Sequence, residues 1–404
     1  SHAVSLMRDG VSRGQFELMG STHSDAVLAA LDPWDARLAV QYGSSTVHDM
    51  FGKAPTGFWN PSGVWRQEIV LPINAGGYSH MMIDSKIVAA SGLDALPAHA
   101  PLRVSWGGRE IVVFQADASF ARAVDRSVAS GSPASAIAYL QAAYAEDLAD
   151  AAVVVYTREV QASDEGQALQ GLPPLLAAIE KEPWLRLTTL EERVQSGPRP
   201  RAVAQIPEGE PTEVRQAAAA AGHSDWQDYS ANSRVLQDTR NLYGDVRQRI
   251  QAVEEDLHKV AVSQALAPAA SRLLDHAKLV FAWHQRGFGR PGVDNAGSGQ
   301  WEAVRAAYVA ALAAWQCAHP TTSAYREDVN RDGIEEVVVV SPTDMFVLSP
   351  TGGKMLYWYD LEHGDQVVGS DLGEAAGEEF VNESVSAPGV RRRALVRYLA
   401  IENT

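Results

Sequence analysis

The chain has 404 residues, of which 46% are hydrophobic and 21% are charged, so it is long enough for two or three ordinary globular domains. Its formal net charge of -16 argues against general binding to nucleic acid or to an anionic membrane, because both need a basic surface. A single cysteine excludes an intrachain disulfide. The sequence has no run of about 18 apolar residues, so we expect no transmembrane helix.

Residues 1–205 alternate strand-like and helix-like segments. Five short runs of apolar or β-branched residues, bounded by Gly, Pro or polar residues, predict strands. They are QFELMG (15–20), APTGFW (54–59), YSHMMID (78–84), EIVVFQAD (110–117) and AAVVVYT (151–157). Helical stretches between them, such as 33–51 and 134–149, predict βα units and a parallel sheet, in which functional groups gather at the carboxyl ends of the strands.

The second half of the chain changes pattern twice. Residues 196–211, SGPRPRAVAQIPEGEP, are rich in proline and polar residues, which is typical of a linker or a long loop. Apolar residues at helical spacing follow, for example over 239–266, and EEVVVVSPTDMFVLSPTGGKMLYWYD (335–360) predicts three strands joined by turns. We therefore predict an α/β protein with three domains: an incomplete β/α barrel (1–205), a helical bundle (206–320) and a β-rich, sandwich-like domain (321–404).

The order of motifs in the first half resembles glycoside hydrolase family 57. GQFELMG (14–20) matches a strand that ends in an EL-G motif, and FGKAPTGFW (51–59) matches FG--P-GFW, which precedes a strand that ends in Asp. PWLRLTTLEE (183–192) and DVNRDGIEEVVVV (328–340) extend the resemblance over most of the chain. It implies an incomplete (β/α)7-type barrel and a relationship to α-glucan hydrolases, branching enzymes and glucanotransferases. The family's first motif, His-x-Pro, has no counterpart, so we expect further residues upstream of Ser1.

Enzymes of this family retain the anomeric configuration, which implies two carboxyl groups about 5 Å apart. One attacks the anomeric carbon, and the other acts as acid and then as base. The nucleophile is a Glu in a W-x-x-E-x-x-W motif, where this sequence has Ser62. The acid/base is an Asp in the order D-G-E, which aligns with Thr157 and leaves only Glu159. Because the two carboxylates act as a unit, the resemblance implies that the catalytic pair is lost.

Three functions stay open at this point. The first is a family 57-like pseudoenzyme that binds an α-glucan or another polysaccharide, or serves as a scaffold in a larger assembly. The second is an active retaining α-glucan hydrolase or transferase that uses the relocated carboxylates Asp84 and Glu159. The third is a structural interaction protein of the cell envelope.

Aromatic residues near predicted strand ends suggest a sugar-binding groove. An indole face stacks on the apolar face of a pyranose ring, so exposed tryptophans on the presumed catalytic side would suit a glucan. Together with two histidines near strand ends, the predicted substrate contacts are His23, Trp59, Trp65, His80 and Trp106. Burial in the core is the alternative interpretation, in particular for Trp65.

The stretch DVNRDGIEE (328–336) has oxygen-bearing side chains at alternate positions before a glycine that suits a sharp turn, as in loops that bind Ca²⁺. The predicted ligands are Asp328, Asn330, Asp332 and Glu336. An EF-hand would have Glu at the twelfth position, which is Val339, so the pattern resembles the shorter calcium loops that precede strands. A metal-free Asx-rich turn is the alternative. Weak calcium sites suit extracellular calcium, which favours an exported or cell-envelope protein over a cytoplasmic one.

Overall fold

The computed structural model describes residues 2–89, 99–147, 153–157, 172–197, 199–263, 268–292, 298–329, 334–350 and 353–369. The chain forms two compact units, Ser1–Trp226 and Gln227–Thr404. In the described residues, the first unit holds a six-stranded mixed sheet with helices, and the second holds long helices and a five-stranded antiparallel sheet. The predicted fold class, an incomplete β/α barrel followed by helices and a β-rich part, is confirmed. The exact division into three domains stays a prediction.

The sheet of the first unit is built from strands that the sequence predicts and from two that it does not. Its strands are β1 (Met19–Gly20), β2 (Gly57–Phe58), β3 (His80–Asp84), β4 (Leu102–Trp106), β5 (Arg109–Ala116) and β6 (Arg201–Val203). They have the order β1-β2-β3-β5-β4-β6, and β1, β2, β3 and β5 run parallel. β4 is antiparallel to β5, because Gly107 and Gly108 form a hairpin turn with φ of 53° and 80°. The expectation of an all-parallel sheet is therefore corrected.

Helices connect these strands along the first unit. They are α1 (His2–Ser12), α2 (Pro33–Phe51), α3 (Val70–Ala75), α4 (Ser85–Ala89), α5 (Ala118–Ser130), α6 (Ala134–Asp147), α7 (Leu172–Ile179), α8 (Leu190–Ser196), α9 (Thr212–Ala220) and, at the unit boundary, α10 (Trp226–Asn232). The predicted helix over 33–51 is confirmed. Asp32 caps it by accepting the N–H of Trp34, Pro33 occupies its first turn, and Gly52 ends it in the left-handed conformation.

One face of the sheet of the first unit packs against helices, so the strand residues between those of the packed face point to the opposite side. A single apolar cluster includes Phe58, Met81, Ile83, Ile111 and Val113. Because successive side chains of a strand point to opposite sides, the residues between these face away from the helices. We call that side the interior face. In register, it carries Met19, Gly57, Trp59, His80, Met82, Asp84, Val112, Phe114 and Ala116.

Residues 204–211 form an ordered segment, which we call the clasp. The backbone N–H of Trp65 donates to the carbonyl of Gly209 (2.7 Å), and the N–H of Gly209 donates back (3.1 Å). The side-chain amide of Gln67 accepts from the N–H of Ile206 (3.1 Å) and donates to a clasp carbonyl (3.0 Å). Ile206 itself is buried in the apolar cluster. Of the two alternatives predicted for this stretch, the long loop agrees with the structure over 204–211, and contacts with residues far away in the sequence order this polar segment.

The second unit contains α11 (Arg234–Ser263), α12 (Pro268–Trp283) and α13 (Ser298–Ala318). Its strands are β7 (Ser323–Glu327), β8 (Glu336–Val340), β9 (Asp344–Leu348), β10 (Met355–Asp360) and β11 (Asp365–Val368), which pair antiparallel in the order β11-β10-β9-β8-β7. Buried and half-buried residues alternate along β8 and β9, so one face of this sheet is packed. None of the helices in the described ranges has both the length and the apolarity needed to cross a bilayer.

Candidate substrate-binding face

The interior face becomes accessible towards one edge of the sheet. The carboxyl ends of β1, β2, β3 and β5 share that edge, because these strands are parallel and in register. On this face, His80 and Phe114 are fully buried, whereas Asp84 is half-buried and Trp59 is 41% exposed. Trp59 and Asp84 are therefore residues that a ligand can reach near the carboxyl edge, where parallel sheets usually hold their sites.

Trp59 presents its indole from a rigid base. Its backbone N–H donates to the carbonyl of Gly20 (2.7 Å), which ties it to the neighbouring strand. The preceding residue, Phe58, is fully buried and packs edge-on against Tyr78, with ring centroids 5.1 Å apart. An exposed aromatic ring with an immobile backbone is suited to stacking on a flat apolar surface such as a pyranose ring.

Ser62, which the motif resemblance aligns with the family nucleophile, belongs to a closed turn. Its hydroxyl donates to Asn60 Oδ1 (3.1 Å) and accepts from the N–H of Val64 (3.3 Å), while Asn60 Nδ2 donates to the carbonyl of Val64 (2.8 Å). Only 5% of Ser62 is exposed. The next residue, Gly63, has φ of 65°, and a Cβ there would lie 2.5 Å from the ring of Pro211 in the clasp. The serine hydroxyl thus holds a turn that the clasp covers.

Of the two carboxylates predicted as a relocated catalytic pair, the structure describes Asp84 but not Glu159. Asp84 ends β3 on the interior face, and its Oδ1 accepts the N–H of Lys86 (2.9 Å), so it caps the start of α4. Glu159 lies outside the described residues, whereas Thr157 lies inside them. Ala116 pairs with Asp84 on one side and with Val155 on the other, so Asp84 and Thr157 come from segments that flank the end of β5. A catalytic pair formed by Asp84 and Glu159 stays a prediction.

His80 is buried inside the sheet and is corrected as a substrate contact. Its Nε2 bonds to Glu17 Oε1 (2.5 Å), and its Nδ1 bonds to the hydroxyl of Ser79 (3.0 Å). The other oxygen of Glu17 accepts the N–H of Glu191 in the first turn of α8 (2.9 Å). Burial would raise the pKa of Glu17, but the hydrogen bonds from His80 and Glu191 outweigh it and lower that pKa. The pair fixes α8 to the sheet beneath the accessible region.

The remaining predicted contacts lie in three different places. Trp65 is fully buried and donates from Nε1 to the carbonyl of Ile206 (3.0 Å), so it is a core residue and is corrected as a substrate contact. Trp106 is exposed, but it ends an antiparallel strand and therefore lies at the amino edge of the parallel strands. His23 follows β1 at the carboxyl edge and is half-buried, and burial lowers its pKa. The structure thus brings Trp59 and Asp84 to one edge of the interior face, whereas the ring of His23 bonds to Thr46 Oγ1 (3.3 Å) and lies 5.9 Å from the ring of Tyr42 in α2.

A buried network at the end of β5 was missed by sequence reasoning. His99 Nε2 bonds to Asp117 Oδ2 (2.9 Å), which also accepts the hydroxyl of Tyr139. Asp117 Oδ1 accepts the N–H groups of Ser119 (2.8 Å) and Phe120 (3.1 Å). Burial would raise the pKa of Asp117, but these bonds hold it far below its usual range. An Asp directly before a helical pattern signals the cap, whereas the histidine partner leaves no local signal. Both oxygens of the Asp117 carboxylate accept hydrogen bonds, so the network joins the end of β5 to α5 and α6.

The predicted calcium loop is described only in part. Asn330 and Asp332 lie outside the described residues. Glu336 is fully buried at the start of β8 and accepts the N–H of Val329 (3.0 Å), and Asp328 precedes that residue. Among the residues that the structure describes, no three His, Cys, Asp or Glu side chains are grouped as metal ligands. Calcium binding therefore stays a prediction.

Comparisons with known proteins identify the first part of the chain. Residues 1–146 match the model of glycosyl hydrolase family 57. The resemblance inferred from the sequence motifs is therefore confirmed for this part. No curated protein matches the chain significantly.

Solved structures extend the likeness over most of the chain. The 4-alpha-glucanotransferase from Thermococcus litoralis has a TM-score of 0.50 at 18% identity, covering 90% of this chain and 58% of that one. The family 57 branching enzyme from Thermococcus kodakaraensis has a TM-score of 0.54 at 13% identity, covering 77% of this chain and 67% of that one. The alpha-amylase AmyC from Thermotoga maritima has a TM-score of 0.51 at 10% identity, covering 78% and 68%. At these identities the likeness shows a shared family 57-type fold, and this chain spans 58% of the glucanotransferase.

Proposed function

We propose that this protein is a family 57-like pseudoenzyme that binds an α-glucan at the carboxyl edge of its first sheet. The observation that carries the proposal is the state of Ser62. Retaining hydrolysis needs an exposed carboxylate nucleophile. At this position the side chain is a hydroxyl, 5% exposed and engaged in the turn from Asn60 to Val64.

Binding can outlast the loss of catalysis, because the groups that hold a sugar differ from those that cleave it. Trp59 supports stacking, with its 41% exposed indole on a fixed backbone. Half-exposed Asp84 lies at the same edge and can accept hydrogen bonds from sugar hydroxyls. His23 adds an imidazole after β1, whose Nδ1 bonds to Thr46 Oγ1 (3.3 Å) and whose pKa is lowered by burial.

An α-glucan is the substrate class that the similar folds favour. Three of the solved structures with a similar fold are named a 4-alpha-glucanotransferase, a branching enzyme and an alpha-amylase. The acidic net charge also suits a neutral polysaccharide better than an anionic one.

An active hydrolase or transferase with Asp84 and Glu159 as its pair is the competing proposal. Against it stands the role of Asp84 as the cap of α4, which directs one oxygen to a backbone N–H. A scaffold in a larger assembly is a further alternative, which requires no sugar binding at all. We also propose that Ca²⁺ binds between β7 and β8, supported by the buried carboxylate of Glu336 beside that loop.

Two assays test the proposal together. Release of reducing sugar is measured on soluble starch, pullulan and dextran for the protein and its Asp84→Ala and Glu159→Ala variants, and retardation is measured in native gels that contain starch. The proposal predicts retardation of the wild-type protein and no sugar release. Sugar release that either variant abolishes would establish the relocated pair, and absence of both release and retardation would favour the scaffold.

A further inference from the structure

The β4–β5 hairpin displays a tryptophan far from the carboxyl edge. Trp106 ends β4 and is 44% exposed, and its cross-strand partner is Arg109. Gly107 and Gly108, both with positive φ, form the two-residue turn that connects the strands. The indole is thus carried on a short, well-defined turn and not on a long loop.

The surface around this indole has a small apolar centre with an arginine beside it. Leu71 of α3 is 38% exposed and lies against the turn, since a Cβ on Gly107 would be 3.0 Å from Leu71 Cδ2. Exposed Arg109 lies across from Trp106. Arg103 and Glu110, which pair at 3.8 Å, alternate with these residues along their strands and therefore lie on the interior side of the sheet. On the helix side, one indole and one leucine side chain therefore lie beside the guanidinium group of Arg109.

We propose that Trp106 is a second carbohydrate platform, which stacks on a pyranose ring of an α-glucan while Arg109 donates hydrogen bonds to its hydroxyls. The proposal rests on the function proposed above. The dimensions favour a sugar over a protein partner, because a stable protein interface buries about 800 Å² on each side with an apolar centre. A ring-sized apolar surface with polar groups at its margin instead matches a sugar, which has apolar faces and a hydroxyl periphery.

This platform is separate from the one at Trp59. Leu102 and Val104 of β4 belong to the helix-side cluster, so Trp106, two residues further, lies on the helix side, whereas Trp59 lies on the interior face. Along the sheet, Trp106 is level with Arg109 and Trp59 is near the level of Phe114. Five strand residues separate those levels, which is about 17 Å. The two sites can therefore hold different parts of a long glucan, and their binding should reinforce each other by multivalency.

The test uses the full chain in native gels containing amylopectin, with Trp106→Ala, Trp59→Ala and the double variant compared with the wild type. We expect each single variant to weaken retardation by about two- to ten-fold, the range of one aromatic stacking contact, and the double variant to lose nearly all retardation. Trp106→Phe should keep most of the retardation, because it keeps an aromatic face. Arg109→Ala, at an exposed turn position, is a second probe that spares the indole and should also weaken binding.

The outcomes separate this inference from the proposed function. A wild-type protein that amylopectin does not retard would refute both. Retardation of the wild type that is unchanged in Trp106→Ala and Arg109→Ala would overturn this inference alone. Sedimentation of the same proteins distinguishes a protein interface: a dimer that becomes a monomer in Trp106→Ala, with unchanged retardation, would assign the hairpin to self-association.

Discussion

Replacement of Ser62 by alanine tests whether its hydroxyl stabilises the turn between Asn60 and Val64. The change removes one hydrogen bond to Asn60 and one from the N–H of Val64, a residue that is itself buried. Net contributions of about 0.5–1.5 kcal/mol for each bond predict a loss of about 2 kcal/mol in the free energy of unfolding. For a unit of this size, that loss corresponds to a decrease of about 4–8 °C in Tm.

The assay is thermal unfolding by circular dichroism, with Ser196→Ala as the matched control. Ser196 is exposed and bonds only to the carbonyl of Glu192 (2.7 Å), so its removal should change stability by less than about 0.5 kcal/mol. A Ser62→Glu, Thr157→Asp double variant completes the test and should release no reducing sugar from starch. Equal Tm values for the two alanine variants, or sugar release by the double variant, would refute the view that Ser62 serves a closed turn.

Glu17→Gln should lower the free energy of unfolding at pH 7 by about 1.5–3 kcal/mol, because it replaces a buried carboxylate that bonds to His80 and to the N–H of Glu191 with a neutral amide. Since the pKa of Glu17 is lowered in the fold, the stability that the carboxylate provides is present above about pH 4.5 and lost as the pH falls through the lowered pKa, so urea titrations of the variant should vary less with pH in that acid range. Trp59→Ala should weaken binding of maltoheptaose by about two- to ten-fold in calorimetry, with Tm unchanged because the indole is exposed. Calcium removal by a chelator should lower Tm, and Glu336→Gln should abolish the difference between calcium-loaded and chelated protein; equal Tm values with and without calcium in the wild type would refute the site. Gly63→Ala should lower the Tm of the first unit, because the added Cβ would meet Pro211 and because the backbone φ of 65° at this position disfavours alanine. A Tm equal to that of the wild type would show that the clasp can move to make room for the methyl group.

The sequence predicts the parts of the fold that depend on local pattern. Short runs of apolar or β-branched residues identify β1, β2, β3 and β5, although β1 and β2 are only two residues long. The helix over 33–51 agrees with its cap, proline and glycine signals. These features are predictable because each is decided by residues within one turn or one strand.

What the sequence does not predict depends on distant partners. Two glycines at 107–108 are a hairpin signal in themselves, yet only the pairing of β4 with β5 reveals that Trp106 is at the amino edge. The burial of Trp65 and the order of the clasp both depend on the contact between Trp65 and Ile206, which are about 140 residues apart in the sequence. For the site, the motif singles out Ser62, but its engagement in a turn is visible only in the structure.

The clasp also constrains how the protein can be made. Gln67 bonds to the carbonyl of Ala204, 137 positions later, so the loop that follows β2 cannot reach its final environment until that residue has left the ribosome. At roughly 5–20 residues per second, synthesis of the intervening chain takes on the order of 7–30 s. During that interval, Trp65 and the neighbouring apolar surface are uncovered in the nascent chain. The first unit is therefore expected to engage chaperones during translation and to fold late.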